Sequence, residues 1–123
     1  MWFKIILSIL CAMYITTGTA EARSLHGTWQ SQTPHMIAYV DKDSIRITHV
    51  FDDGDTALYW QGTFRSYITN GKSFRSKADT EALDLAIFGS TDKTKTFTYK
   101  NGRLIFRFSI LGTTQKVFLS RRY

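Results

Sequence analysis

Residues 97–110 read FTYKNGRLIFRFSI, and two features of this stretch indicate a β-hairpin. Asn101-Gly102 is a strong turn signal, because both central positions of a two-residue hairpin turn favour residues that tolerate positive φ. Apolar and polar residues alternate on either side of that turn, which is the period of a strand with one buried face. The predicted inward side chains are Phe97, Tyr99, Leu104, Phe106, Phe108 and Ile110. The predicted outward side chains are Thr98, Lys100, Arg103 and Arg107.

The period of two continues in both directions from this hairpin. Downstream, Val117, Leu119 and Arg121 share one face. Upstream, the residues expected to point inward are Ile45, Ile47, His49, Phe51, Leu58, Trp60, Phe64 and Ile68. Those expected to point outward are Tyr59, Thr63, Arg65 and Tyr67. Turns are expected at DDGD (residues 52–55) and TNGK (residues 69–72), and Phe74, Ser76 and Ala78 mark a further strand.

Residues 76–88, SKADTEALDLAIF, fit two structures. Their Ala, Glu and Leu residues suit a short helix that begins near Asp79. Leu83, Leu85 and Ile87, however, follow a period of two rather than 3.6. We therefore predict a turn followed by a strand over residues 82–88.

The pattern gives about eight strands joined by short turns, and no linker or repeat divides them. Regular spacing with hairpin signals is typical of an antiparallel all-β meander. A domain of this size cannot easily leave so many strands with open edges, and closure into an up-and-down barrel removes those edges. The predicted fold is a closed or nearly closed barrel, and a two-sheet β-sandwich is the alternative.

The N-terminal residues have the layout of a secretory signal. A basic start precedes the apolar run of residues 5–15, and cleavage could follow Ala22, in Ala20-Glu21-Ala22, or Ala20, in Gly18-Thr19-Ala20. We expect residues 1–22 to be removed and residues 23–123 to form one exported domain, periplasmic or secreted; an uncleaved anchor is the alternative. Cys11 is the only cysteine, so that domain would have no disulfide, no Cys nucleophile and no Cys-ligated metal.

A Gly-x-Trp sequence opens the first predicted strand, as Gly27-Thr28-Trp29 within SLHGTWQSQ (residues 24–32). Together with the meander, it resembles the lipocalin and calycin pattern, and in particular the compact lipocalin-like domains of bacteria. The resemblance implies that Trp29 lies near the closed end of the barrel, with a basic residue of the last strand across its indole. By alternation that residue is Arg121, or Arg122 if the register shifts by one.

Avidin-like barrels also begin with GTW, but they place several tryptophans against a vitamin. The expected mature domain has only Trp29 and Trp60, so biotin binding is not predicted.

Motifs for catalysis or metal binding are not evident in the sequence. His26, His35 and His49 are 9 and 14 residues apart, whereas metal sites favour close pairs. The DDGD turn lacks the remaining ligands of a calcium loop, and nothing in the sequence places Glu81 and Asp84 together as an acid–base pair. We therefore predict a protein that is not an enzyme and that uses no metal or cofactor.

Two groups of side chains are candidates for binding. Eight strands enclose room for packed side chains or for one small ligand, and a filled core is the alternative to a cavity because the inward residues are bulky. The candidate cavity residues are Phe51, Trp60, Phe64, Tyr99, Phe106 and Phe108. The candidate surface residues are Tyr59, Arg65, Tyr67 and Arg107, since aromatic and Arg side chains are frequent in interfaces.

The sequence thus predicts an exported, lipocalin-like binding protein that holds a small apolar or amphipathic ligand. The alternative is a rigid exported protein that recognises or inhibits another envelope or secreted protein through its surface. The net charge of +6 fits an anionic partner or simple solubility. A nucleic-acid partner and a stable membrane span after signal cleavage are not expected.

Overall fold

The computed structural model describes residues 25–65, 72–110 and 112–122, which form eight strands and one short helix. The elements are β1 (Gly27–Gln32), β2 (His35–Val40), β3 (Ser44–Val50), β4 (Thr56–Thr63), β5 (Lys72–Ala78), α1 (Thr80–Asp84), β6 (Thr94–Lys100), β7 (Arg103–Ile110) and β8 (Thr113–Arg122). Each strand pairs antiparallel with the next, and β8 pairs with β1. The predicted all-β meander barrel is confirmed, and the sandwich alternative is wrong.

The hairpin that decides the fold has its predicted register. Lys100 pairs with Arg103 and Tyr99 pairs with Leu104. Asn101 and Gly102 have φ values of 54° and 76°, which is the backbone conformation that an Asn-Gly turn supplies. The inward residues of this hairpin that the structure describes are buried, so the predicted alternation holds there.

The barrel has two distinct ends. We call the end where β1 begins and β8 finishes the Trp29 end; the β2–β3 and β6–β7 turns lie there. The opposite end carries the β1–β2, β3–β4 and β7–β8 turns and the long β5–β6 connection with α1. We call this opposite end the helical end. The described part of the chain contains no helix of the length and apolar character needed to cross a bilayer.

Aromatic side chains fill the interior of the barrel. Nine rings form a continuous series of neighbours from the residue that follows β4, near the Trp29 end, to the helical end, with centroid separations of 4.7–6.2 Å. In order they are Phe64, Phe74, Phe97, Phe106, Tyr59, Phe108, His49, Phe51 and Phe88. Such contacts, most of them tilted or edge-to-face, are within the range of favourable ring packing, so packed rings rather than open space occupy this part of the interior.

The predicted strand over residues 82–88 is wrong, because α1 (Thr80–Asp84) and the turns that follow it occupy this segment. The carboxylate of Asp79 caps α1 by accepting a hydrogen bond from the Ala82 N–H at 3.3 Å. The helix buries Leu83 against the barrel and leaves Leu85 and Ile87 exposed. A capping aspartate before helix-forming residues therefore outweighs three alternating apolar positions.

The prediction that the Tyr59 side chain points outward is also wrong. The β3–β4 register moves from Ile47 opposite Trp60 to Thr48 opposite Leu58, so Tyr59 is an extra residue on β4. This β-bulge shifts the alternation by one position. Tyr59 and Trp60 are consequently both buried, and Leu58 packs partly buried at the edge of the core.

Strand β4 forms backbone hydrogen bonds both with β5 and with the connection that follows β5. Among the described residues, the β4–β5 ladder has two pairs, Gly62 with Ala78 and Thr63 with Lys77. Beyond it, the connection that carries α1 bonds directly to β4. Asp79 N–H donates to Gln61 O, and Ser90 N–H donates to Tyr59 O, both at 2.8 Å. The β5–β6 connection therefore completes the wall beside β4.

Some sequence predictions fall on positions that the structure does not cover. The signal segment of residues 1–22, the facing of Tyr67 and Ile68, and turn residues 69–71 lie outside the described residues. The side chain of Ile110 does as well.

Candidate functional site

Trp29 and Arg121 close one end of the barrel. The Arg121 guanidinium lies 4.3 Å from the centroid of the Trp29 ring, and its Nη1 donates a hydrogen bond to His26 O at 2.8 Å. The Trp29 indole N–H donates to Leu25 O at 3.0 Å. Gly27 has φ 139°, and a Cβ there would lie 3.1 Å from Arg121 Nη1. Arg121, rather than Arg122, is therefore the residue that covers the indole.

Most of the side chains predicted to line a cavity lie in the packed core. Trp60, Phe64, Tyr99, Phe106 and Phe108 are all buried and contact other rings or core residues. Phe51 alone of the six is half-buried, and it reaches the surface at the helical end. The structure thus places one candidate ligand-binding residue at an accessible position.

The side chains predicted to form one interaction surface are not brought together on the outside. Arg65 follows β4 toward the Trp29 end, and Arg107 is exposed on β7. Tyr59 points inward, where its hydroxyl donates to Arg107 O at 3.5 Å and accepts from the Ser109 N–H at 3.2 Å. Tyr59 therefore supports β7 from inside the barrel.

Lys95 is a buried cation that the sequence interpretation missed. Its Nζ donates to Asp92 Oδ2 and to Arg107 O, each at 3.1 Å, and lies 5.0 Å from the Tyr59 ring centroid. The β6–β7 ladder stops at Thr98 opposite Ile105, so Lys95 and Tyr59 bond to β7 beyond the ladder. The signal was available, because Lys95 is in phase with the inward residues Phe97 and Tyr99.

An apolar groove of about 540 Å³ lies at the helical end. Residues from the β3–β4 turn, the start of β4 and the α1 segment line it. They are Phe51, Asp53, Asp55, Thr56, Ala57, Leu58, Ala82, Leu85, Ala86, Ile87 and Phe88. Leu85 is 87% exposed, Ile87 is 92% exposed, and the Phe88 ring packs 5.7 Å from Phe51. The groove is thus an accessible apolar surface next to the barrel opening.

Among the described residues that line this groove, the charged ones are both acidic. Asp53 and Asp55 belong to the β3–β4 turn, which is held by a 3.0 Å hydrogen bond from Asp55 N–H to Asp53 Oδ1. Among the described residues, the carboxylates within 4.0 Å of a basic side-chain nitrogen are Asp41, beside His26, and Asp92, beside Lys95. Neither groove aspartate therefore has a cationic partner in that part of the chain.

The histidines do not converge on a metal site. Within the described ranges, no three His, Cys, Asp or Glu side chains are placed to hold a metal ion. His35 is exposed, and His49 packs against Phe51 and Phe108 as an inward rim residue. Its Nδ1 is buried and has no hydrogen-bond partner among the residues that the structure describes. Glu81 and Asp84 both lie on α1, and both are exposed.

No protein-family model matches this chain, and no curated protein matches it in sequence. The geometry of the barrel and of its rim groove therefore has to carry the functional conclusion.

Proposed function

We propose that this chain is an exported, lipocalin-like binding protein that holds a small amphipathic cation in the groove at its helical end. The observation that carries the proposal is the solvent exposure of Leu85, Ile87 and Phe88 around a groove whose charged residues are both aspartates. The ligand has an apolar body that covers these side chains and a positively charged group that faces the β3–β4 turn.

The apolar part of the proposal follows from exposed surface. Large aliphatic side chains grouped on a surface mark a site that another molecule covers more often than singly scattered ones do. Fully burying one Leu, Ile or Phe side chain is worth roughly 1.5–3 kcal/mol. A groove of about 540 Å³ is also within the size range of small-molecule sites.

The cationic part follows from the charge of the lining. Asp53 and Asp55 have no Lys or Arg partner among the described residues, and their carboxylates border the apolar surface. A ligand cation at this position supplies the missing opposite charge, whereas an anion is repelled. The two aspartates thus select between ligands that have the same apolar chain.

The position of the site follows from the packed interior. The rings from Phe64 to Phe88 fill the barrel where a lipocalin-like protein of larger diameter would keep a cavity. Room for a ligand remains at the rim, where Phe51 and Phe88 end the series of rings. The Gly27-Thr28-Trp29 start and the signal-like N-terminus support a lipocalin-like relationship and export.

Two surfactants with one chain length and opposite charges test this proposal. Binding of dodecyltrimethylammonium and of dodecyl sulfate, each below its micelle concentration, is measured by NMR through the methyl signals of Leu85 and Ile87, which report binding in the groove itself. We expect the cation to bind about tenfold more tightly, because two surface carboxylates attract one head group and repel the other. Equal affinities, or tighter binding of the sulfate, would contradict a cation-selective groove.

Two matched variants locate the binding surface. Phe88→Asn removes a half-exposed ring inside the groove, and Phe118→Asn removes a half-exposed ring on the outside of β8. We expect dodecyltrimethylammonium binding to weaken about tenfold in Phe88→Asn and to stay unchanged in Phe118→Asn. The proposal is wrong if both variants bind like the unmodified chain.

A further inference from the structure

Positive charge is concentrated on one half of the barrel wall. Strands β5 to β8 contain ten Lys and Arg residues and no Asp or Glu. The nine acidic residues that the structure describes all lie between Asp41 and Asp92, in turns and in the α1 segment. Of the ten cations, Lys95 and Arg121 are bound to groups inside the barrel. The others leave the outside of this half strongly basic.

Like charges face each other directly on that outer surface. Lys100 pairs with Arg103, and Arg107 pairs with Lys116, in neighbouring antiparallel strands. All four side chains are exposed, and none is in an ion pair with a described carboxylate. Like charges in directly opposite positions destabilise a sheet. An external anion that neutralises them would remove this repulsion.

The β7–β8 hairpin places an apolar pair between its cations. Ile105 pairs with Phe118, one outward row away from Arg107 and Lys116 and one row away from Arg103. Phe118 is 44% exposed, and the Arg103 guanidinium lies 5.5 Å from its ring centroid. Outward rows on a strand are about 7 Å apart. The hairpin thus presents an apolar centre with positive charge on both sides.

We propose that the outer face of the β7–β8 hairpin binds an anionic lipid surface. Phe118 and Ile105 enter the boundary between head groups and acyl chains, where aromatic rings are favoured. Arg103, Arg107 and Lys116 extend their charged ends to lipid phosphates while their aliphatic stems cover the apolar pair. The convex wall of a barrel meets a flat membrane along one hairpin, and this hairpin has the matching pattern.

This site differs in its residues and its charge from the groove proposed to hold a ligand. The groove is built from the β3–β4 turn, the start of β4 and the α1 segment, and its charged lining is acidic. The lipid-binding face belongs to β7 and β8 and is basic. The groove residues Ile87 and Phe88 also line a shallow pocket with Ser109 and Gly112 at the β7–β8 turn, so the two sites approach each other at the helical end and differ in charge.

Vesicle flotation of the full chain tests the charge requirement. Vesicles of phosphatidylcholine alone are compared with vesicles that also contain phosphatidylglycerol. Each Lys or Arg near an anionic surface contributes about a fivefold change in partitioning. We expect the double variant Arg107→Gln/Lys116→Gln to bind the anionic vesicles about 30-fold more weakly, with the residual binding close to that on phosphatidylcholine.

A second double variant controls for net charge. Lys42→Gln/Arg46→Gln makes the same charge change at exposed positions at the start of β3 and in the turn before it, away from the hairpin. We expect it to bind the anionic vesicles within about twofold of the unmodified chain, since its cations lie outside the face. Equal losses in the two double variants would overturn the proposal, because total charge alone would then explain binding. The apolar residues 5–15 are common to all variants, so differences among them report the hairpin.

The apolar pair has its own test. We expect Phe118→Asn to weaken anionic-vesicle binding about tenfold and Tyr39→Asn, at a similarly exposed aromatic on β2, to leave it unchanged. Phe88→Asn should also leave vesicle binding intact, which separates this site from the groove. Unaltered binding of Phe118→Asn, or displacement of vesicles by a single-stranded oligonucleotide that binds more tightly, would contradict a lipid face.

Discussion

The Arg121 guanidinium stacks 4.3 Å from the centroid of the Trp29 ring, and the two residues are paired in register where β8 closes on β1. The same guanidinium donates to His26 O, and the indole N–H donates to Leu25 O. Arg121 thereby ties the last strand to the residues that precede the first. The same pair of residues therefore lies where β8 pairs with β1 and where the end of the barrel is covered.

Replacement of either partner of this pair should lower the free energy of unfolding. Trp29→Ala removes a fully buried ring and should cost about 3–5 kcal/mol. Arg121→Gln and Trp29→Leu, combined in a double-mutant cycle, should show a coupling energy of about 1 kcal/mol in urea unfolding. Arg122→Gln, at the exposed neighbour, serves as the control and should change stability by less than about 0.5 kcal/mol. A coupling energy near zero would mean that the stack contributes nothing beyond burial.

Two leucines in residues 82–88 distinguish the observed helix from the strand that the sequence predicted. Leu83→Ala should cost about 2–4 kcal/mol in urea unfolding, because Leu83 packs into the core from α1. Leu85→Ala should be nearly neutral, because its side chain is 87% exposed. In a strand over residues 82–88, the two leucines would share a buried face and the two losses would be similar. Similar losses would therefore count against the helix.

Alternation predicted the barrel where strands are regular. The 97–110 hairpin has its turn chemistry and its facing both encoded locally, so its register could be predicted. Tyr59 could not be placed by the same rule. One extra residue in β4 changes the facing of its neighbours, and nothing in ALYWQG marks where the bulge lies.

The rim groove was less predictable than the core. Leu85 and Ile87 looked like strand residues because their spacing fits a period of two, and the Asp79 cap that starts α1 competes with that pattern. The direct pairing of Arg107 with Lys116 depends on the length of the β7–β8 turn, which the sequence did not fix. Alternation in the sequence thus predicts which face of a strand a residue occupies. It does not predict which residues of neighbouring strands lie opposite each other, and a site depends on that register.

The Tyr59 hydroxyl bonds to β7 beyond the β6–β7 ladder, so its removal should loosen that region. Tyr59→Phe leaves the Ser109 N–H without its acceptor and should cost about 1–2 kcal/mol. Hydrogen exchange of the Ser109 amide should become faster. Exchange of the Arg103 and Leu104 amides, at the other end of β7, should change little. Tyr39→Phe, at a half-exposed tyrosine, is the matched control and should affect neither measurement. Unchanged exchange at Ser109 would show that the hydroxyl does not protect this strand.

Gly62 determines how closely β5 approaches β4. A Cβ at this position would lie 2.5 Å from Lys77 O and 2.5 Å from Ser76 Oγ, the atom that accepts the indole N–H of Trp60. The described part of the β4–β5 ladder has two pairs, so a shift of β5 that relieves this overlap disturbs both of them. Gly62→Ala should therefore cost about 2–3 kcal/mol in urea unfolding and should alter the fluorescence of Trp60. Thr63→Ser, at the exposed next position, should change neither quantity, and a Gly62→Ala protein as stable as the unmodified chain would show that the strands can separate freely there.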